Sequence, residues 1–240
     1  MLDSARAAAW VRRWDQTQEH YADHREARFA VMIAAVEEAV GEHRHPVVVD
    51  LGAGPGSLAA RVAERVPAAR IVAVEADPML AALGKAWCGH AVEFTVIEAG
   101  APDWRAQVSA TPAHAVLASS ALHYPPLPRL RELYADIAAW LTPGGILVNA
   151  DHFPDLGAAS HIEDEESTEQ PWSTWWRQAA AAEELAPLFA LRSASFAEGA
   201  GGQDNLLTAA AHLELLAEVG FMDGRVRWHR DRSGVVVAHR

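Results

Sequence analysis

Cysteine is all but missing from these 240 residues: Cys88 stands alone, so no intrachain disulfide can staple the fold. Long apolar runs are missing too, and none suffices to span a bilayer. The start, Met1-Leu2-Asp3-Ser4-Ala5-Arg6, lacks the basic segment and apolar core of a secretory signal, so a soluble cytoplasmic protein is expected. Positive charge is scarce, with 20 Lys and Arg against 32 Asp and Glu and a formal net charge of -12. That balance repels nucleic acid and anionic membranes and favours a small-molecule partner. Glycine and proline are absent from Ser4 to Val40. Alanine, arginine and glutamate there predict a helical cap, broken between Asp15 and Asp23 and apolar along Trp10, Trp14, Tyr21, Phe29, Met32 and Val36. His20 and His24 have the spacing of a helical metal pair, yet no glutamate follows His20, and an exposed pair with no metal is expected.

What is present is organised around Val47-Val48-Val49-Asp50-Leu51-Gly52-Ala53-Gly54-Pro55-Gly56-Ser57. An apolar run broken only by Asp50 reads as a parallel strand covered on both faces, and Ser57 to Val66 follows with helical spacing. The glycines permit positive φ and the close approach of a ligand, and free N–H groups at the helix start favour electron-rich ligand groups. A dinucleotide fingerprint fits poorly, because Ser57 stands where its third glycine belongs and Pro55 removes an N–H that a pyrophosphate would use. Arg70 to Glu75 predicts the second strand, with an acid at its tip placed to accept both hydrogen bonds of a ribose diol. Glu75 serves an adenosine-type ligand of either kind.

The arrangement Asp50-x-Gly52-x-Gly54-x-Gly56 resembles motif I of the class I S-adenosylmethionine-dependent methyltransferases. The resemblance implies that Asp50 orders the turn and that Gly52, Ala53, Gly54 and Gly56 cradle the methionine part of the cofactor, with S-adenosylhomocysteine as product. It places Glu75 on the ribose and Ala76 and Met79 near the adenine, although Met79 serves equally as a core residue opening the helix Pro78 to Trp87. Glu98, after the third strand Val92 to Ile97, would receive the adenine amino group. Trp104 covers the adenine edge or closes the core.

Further along, the resemblance continues. His114 to Ser119 is the fourth strand, and Ser119 lies at the end that faces the cofactor. Ser120-Ala121-Leu122-His123-Tyr124 is similar to the turn that many small-molecule methyltransferases carry there, with His123 a candidate base or a packed turn residue. A helix from Leu130 to Leu141 ends in Thr142-Pro143-Gly144-Gly145, a frequent marker of the family and an ordinary helix stop. The fifth strand, Ile146 to Ala150, runs into Asp151-His152, a second acid/base candidate in which Asp151 would orient His152 if adjacent side chains could meet.

Residues 153–205 interrupt the sheet pattern. They hold the acidic run His161 to Glu166, the indoles of Pro171-Trp172-Ser173-Thr174-Trp175-Trp176, a helix from Ala179 to Leu191 and a glycine-rich stretch from Glu198 to Asp204. This insertion reads as a lid whose indoles line an apolar or aromatic substrate pocket, or anchor the segment. Leu206 to Val219 predicts a helix, and two strands about Asp231-Arg232-Ser233-Gly234 predict a hairpin.

The expectation is one domain: cap 1–45, cofactor-binding core 46–152, lid 153–205, terminal helix and hairpin 206–240. Its fold class is α/β, a doubly wound, seven-stranded, mostly parallel sheet closed by an antiparallel hairpin. The function implied is methyl transfer from S-adenosylmethionine to a small apolar or aromatic acceptor. A non-catalytic S-adenosylmethionine-binding protein and a nicotinamide-dependent oxidoreductase are the alternatives.

Overall fold

Strand β1, Val47–Leu51, is buried at every position, which requires cover on both faces of the sheet around it. The computed structural model describes residues 2–41, 43–109, 111–157, 171–196 and 204–240. In it β1 pairs in parallel with β2 (Arg70–Glu75) and β4 (Ala113–Ser119). β3 (Glu93–Val96) extends β2, and β5 (Leu141–His152) extends β4. β7 (Ser233–His239) runs antiparallel to β5, and β6 (Met222–Arg230) closes the edge. The order is β3-β2-β1-β4-β5-β7-β6, a seven-stranded sheet.

Alternation along the strands divides the core. Val49, Leu51, Val72, Val74, Val116 and Leu147 face α5 (Trp104–Val108), α6 (Leu127–Trp140) and α9 (Ala209–Glu218). Val48, Ala73, Ala115, Leu117 and Val148 face α2 (Arg25–Val40) and α3 (Ser57–Arg65). A third cluster joins α1 (Ser4–Tyr21), α4 (Pro78–Cys88), α7 (Pro171–Ala181) and α8 (Ala186–Ser195) through Trp10, Trp14, Met79, Leu83, Trp175 and Leu185. Among the described residues no helix is long and apolar enough to cross a membrane.

Several boundaries differ from expectation. The cap breaks at Ala22 to His24, where His24 takes φ +57, so His20 and His24 do not share a helix; His24 meets Asp231 at 3.2 Å instead. α6 stops at Trp140, and β5 begins at once because Leu141 pairs with Ala113 before the chain bulges and Ile146 pairs with Ala115. Gly144, at φ +79, makes that bulge possible. The hairpin turn is shorter than expected, since Ser233 and Gly234 already pair with His152 and Asp151. The indole stretch is helical, as α7, and the single helix expected from Ala179 is divided between α7, a 3-10 turn at Glu183–Leu185 and α8. The acidic run at 161–166 and residues 198–203 of the glycine-rich stretch lie outside the described residues.

Candidate functional site

The sheet order sets the carboxyl ends of β2, β1, β4 and β5 side by side, so Glu75, the glycine turn, Ser119 and Asp151 form one row. The chain turns outward from β1 to β2 on one side and continues from β4 to β5 on the other. A crevice opens at such a switch point, where open α/β sheets bind ligands.

Gly52, Gly54 and Gly56 take φ +65, +56 and +83, which L side chains resist. A side chain at each of them would meet neighbouring protein. A Cβ on Gly52 would stand 2.6 Å from the Ala121 Cβ, and one on Gly56 2.6 Å from Phe94 Cζ. One on Gly54 would touch the Trp14 indole at 3.5 Å. Gly52 thus lets the glycine turn press directly on the turn after β4. The expected free N–H groups are also partly engaged: Gly52 and Ala53 donate to the Val74 carbonyl and Gly56 to that of Ala53.

Asp50 is buried under this turn. Burial pushes its carboxyl up to about 7, against a hydrogen bond from the Ala59 backbone and with the charge of Glu75. Its Oδ2 has no partner among the described residues. Glu75 accepts the Gly54 N–H at 2.7 Å on one oxygen and the Asp77 N–H at 2.8 Å on the other. Burial raises its pKa, opposed by those backbone donors. Each carboxylate oxygen keeps acceptor capacity for one more donor.

Beside Glu75, Ala76 is half-buried, and Met79 is fully buried in the third core cluster. Trp104 is buried too, donating its indole N–H to Asp136 at 3.1 Å, so it closes the core. Glu98 is exposed just beyond β3. Asp77 caps α4 through Oδ1 and receives Arg192 of α8 on Oδ2 at 2.6 Å.

Asp151 meets His123, not His152. Its two oxygens lie 3.0 and 2.9 Å from His123 Nδ1, while His152 contributes only its backbone N–H. Extended backbone points neighbouring side chains to opposite faces, which leaves Asp151 free to cross to the β4 turn. Burial alone would lower the His123 pKa, but the hydrogen bond and charge of Asp151 prevail and raise it. The Asp151 carboxyl is held low, burial being outweighed by His123, the His152 N–H and Arg28. His152 is pushed down to about 4 by burial and by Arg28, so it is neutral and weakly basic at pH 7. Tyr124 packs its ring against His123, centroids 4.1 Å apart.

Two residues escaped the sequence reading. Arg28 is fully buried on α2; the available signal was its place one and two helical turns before Met32 and Val36, on the apolar stripe. Arg192 lies over the Trp176 ring at 3.9 Å, and its spacing to Asp77 carries no local signal.

Residues 48–145 match the family described as a methyltransferase domain. A curated relative, trans-aconitate 2-methyltransferase of Streptomyces avermitilis, is 34% identical over 146 residues, 58% of this chain and 51% of that one. Human N-acetylserotonin methyltransferase, solved with S-adenosylmethionine, superposes at TM-score 0.55 with 18% identity, over 87% of this chain and 51% of that one. A pericyclic-reaction enzyme shares the fold at TM-score 0.53 and 16% identity, over 85% of this chain and 46% of that one. The chain spans about half the length of the curated relative it matches. Over residues 48–145 the chain is similar to the methyltransferase domain family, and its glycine motif and strand order accord with that match.

Proposed function

We propose that this chain transfers a methyl group from S-adenosylmethionine to a small-molecule acceptor with an apolar or aromatic body. The observation that carries the proposal is the contact of the glycine turn with Ala121, two residues before the His123–Asp151 pair. It supports a reading in which the glycine turn and Glu75 take an adenosine-type ligand next to the paired histidine. A buried acceptor without a partner at Asp50 and a strand-tip carboxylate at Glu75 fit a ligand bearing an ammonium group and a vicinal diol, and S-adenosylmethionine has both. When bound, its sulfonium supplies an electrophilic methyl carbon.

The protein's task is alignment, exclusion of water and removal of a proton. Asp151 accepts from His123 Nδ1, which leaves Nε2 as the basic nitrogen for an acceptor hydroxyl. His152, with its lowered pKa, serves better as a neutral wall than as a base. Trp172, Trp175 and Trp176 pack on Trp14 with ring centroids 5.0, 5.1 and 6.2 Å away. Trp14 in turn lies against Gly54, so the indoles of α7 extend apolar surface beside the glycine turn. The net charge of -12 supports a small acceptor over nucleic acid.

Calorimetric titration with S-adenosylmethionine, S-adenosylhomocysteine and NAD, on wild type and Glu75→Ala, tests the cofactor. Both sulfur nucleosides binding, NAD failing and the substitution weakening binding are expected; NAD alone binding overturns the reading. Transfer of labelled methyl from the cofactor to a panel of aromatic acids and phenols then separates an enzyme from a protein that only holds S-adenosylmethionine.

A further inference from the structure

Arg28 is a buried cation that methyl transfer, as argued above, leaves without a task. Its side chain is 0% exposed. Nε donates to the Ser233 hydroxyl, and Nη1 reaches the Ser120 hydroxyl at 3.4 Å. Nη2 has no hydrogen-bond partner among the described residues. Ser233 pairs with His152 in the sheet, and Ser120 directly follows β4. The guanidinium therefore lies beneath the carboxyl ends of β4 and β5, beside the His123–Asp151 pair.

Burying a guanidinium is costly unless an anion balances it and its N–H groups are all engaged. Arg25, one turn earlier on α2, has its anion in Asp15 at 2.9 Å, although its Nη1 lacks a hydrogen-bond partner among the described residues. Arg28 has none: no carboxylate stands within ion-pair distance among the described residues. Its two partners are neutral hydroxyls, and Ser233 already gives its proton to the Asp23 carbonyl at 2.8 Å. These serines orient the group without neutralising it. Asp151 and Asp23 attract it from farther away, and Arg25 repels it. Asp151 is itself occupied by His123. Burial pulls the Arg28 pKa down only to about 10, so it stays charged at neutral pH.

A purely structural tie between α2 and β7 would be made better by an apolar side chain or a paired one. The local backbone also departs from rest. Ser120 holds φ +52, unusual for a residue with a Cβ, and its N–H is bound to the Ala150 carbonyl at 2.8 Å. Nη1 of Arg28 reaches the hydroxyl of this half-buried residue.

We propose that Arg28, with Ser120, receives a carboxylate of the acceptor, so the substrate class is small carboxylic acids with an apolar or aromatic body. The planar guanidinium fork matches a carboxylate in two parallel hydrogen bonds, and a neutral amide in its place would leave the charge uncompensated. The inference rests on the methyltransferase reading only in taking the bound molecule to be the methyl acceptor.

The test uses the full chain saturated with S-adenosylhomocysteine, titrated calorimetrically with trans-aconitate, benzoate and cinnamate, and with benzamide and cinnamamide as neutral counterparts. At least one acid should bind, the aromatic acids at least tenfold more tightly than their amides. Arg28→Gln should lose at least tenfold in acid affinity while keeping wild-type affinity for S-adenosylhomocysteine, and Arg28→Lys should fall between. If Arg28→Gln does not fold, Arg28→Lys and Ser120→Ala carry the comparison. No acid binding, acids binding no better than amides, or variants that bind acids as wild type does would overturn the proposal. The same titrations without nucleoside keep the two readings apart. A wild type that binds acids through Arg28 but not S-adenosylhomocysteine sinks the methyltransferase reading alone.

Discussion

His123 Nδ1 stands 2.9 Å from Asp151 Oδ2, binding the turn after β4 to the end of β5. A histidine used as a base must be neutral, and this pairing favours its charged form. The rate should therefore fall as pH drops through an apparent pKa above the ordinary 6.5 of histidine. Asp151→Asn removes the charge that raises it, so the limb should move to lower pH and the maximal rate should fall. His123→Ala should cost about 10²-fold or more in turnover of a hydroxyl acceptor. A pH profile of kcat/KM for the three proteins checks this, and an unchanged limb in Asp151→Asn would remove the pair from the chemistry.

Glu75 has two tasks that a pair of substitutions can part. Its oxygens hold the Gly54 and Asp77 N–H groups and face the crevice. Hydrogen bonds to a charged group contribute about 1.5–3 kcal/mol, so Glu75→Gln should weaken S-adenosylhomocysteine binding by roughly 10- to 100-fold. One amide oxygen can still take one backbone N–H, so Glu75→Gln should unfold in urea closer to wild type than Glu75→Ala does. Calorimetry and urea midpoints on both variants provide the check.

Much of the sheet was legible in the sequence because strands covered on both faces are nearly continuous apolar runs, as at Val47 to Leu51, broken only by Asp50, and Ile71 to Val74. The acids at strand tips follow from those runs, and Glu75 and Asp151 stand where the pattern puts them. What was not legible depends on contacts distant along the chain. His123 and Asp151 are 28 residues apart, and only the sheet order brings them together. β5 starts early because Leu141 finds Ala113, a pairing that the helix-stop signal at Pro143 conceals. Arg28 was hidden within a helix rich in charge, where a buried arginine looks like a solvated one until the stripe it lies on is followed.

The glycine turn offers a test of why its glycines are glycines. At Gly54 an added Cβ meets Trp14 at an ordinary 3.5 Å, so Gly54→Ala should cost only the positive φ, about 1–2 kcal/mol. At Gly52 the same φ penalty is joined by a Cβ overlap with Ala121 at 2.6 Å. Gly52→Ala should therefore destabilise more than Gly54→Ala. Adding Ala121→Gly should recover the overlap but not the backbone cost, a coupling that urea unfolding of the double-mutant cycle measures. Additive effects would mean that the two turns do not press on each other.

The contact between Arg192 and Asp77 links α8 to the start of α4, two residues after Glu75. Arg192 Nε lies 2.6 Å from Asp77 Oδ2 and the guanidinium stacks on Trp176, while Asp77 Oδ1 caps α4 separately. Arg192→Ala leaves the cap in place, so the melting temperature of the domain should change little. α8 should loosen, because none of its residues is buried and this ion pair is a specific hold on the core. Faster hydrogen exchange across 186–195 and faster chymotryptic cleavage within 171–196 are expected. Asp77→Ala removes cap and ion pair together and should add about 1 kcal/mol of global destabilisation. If Arg192→Ala left exchange in α8 at the wild-type rate, α8 would be held by the indoles of α7 and not by this ion pair. Trp176→Ala, which removes the stacking surface, would then be the variant that frees it.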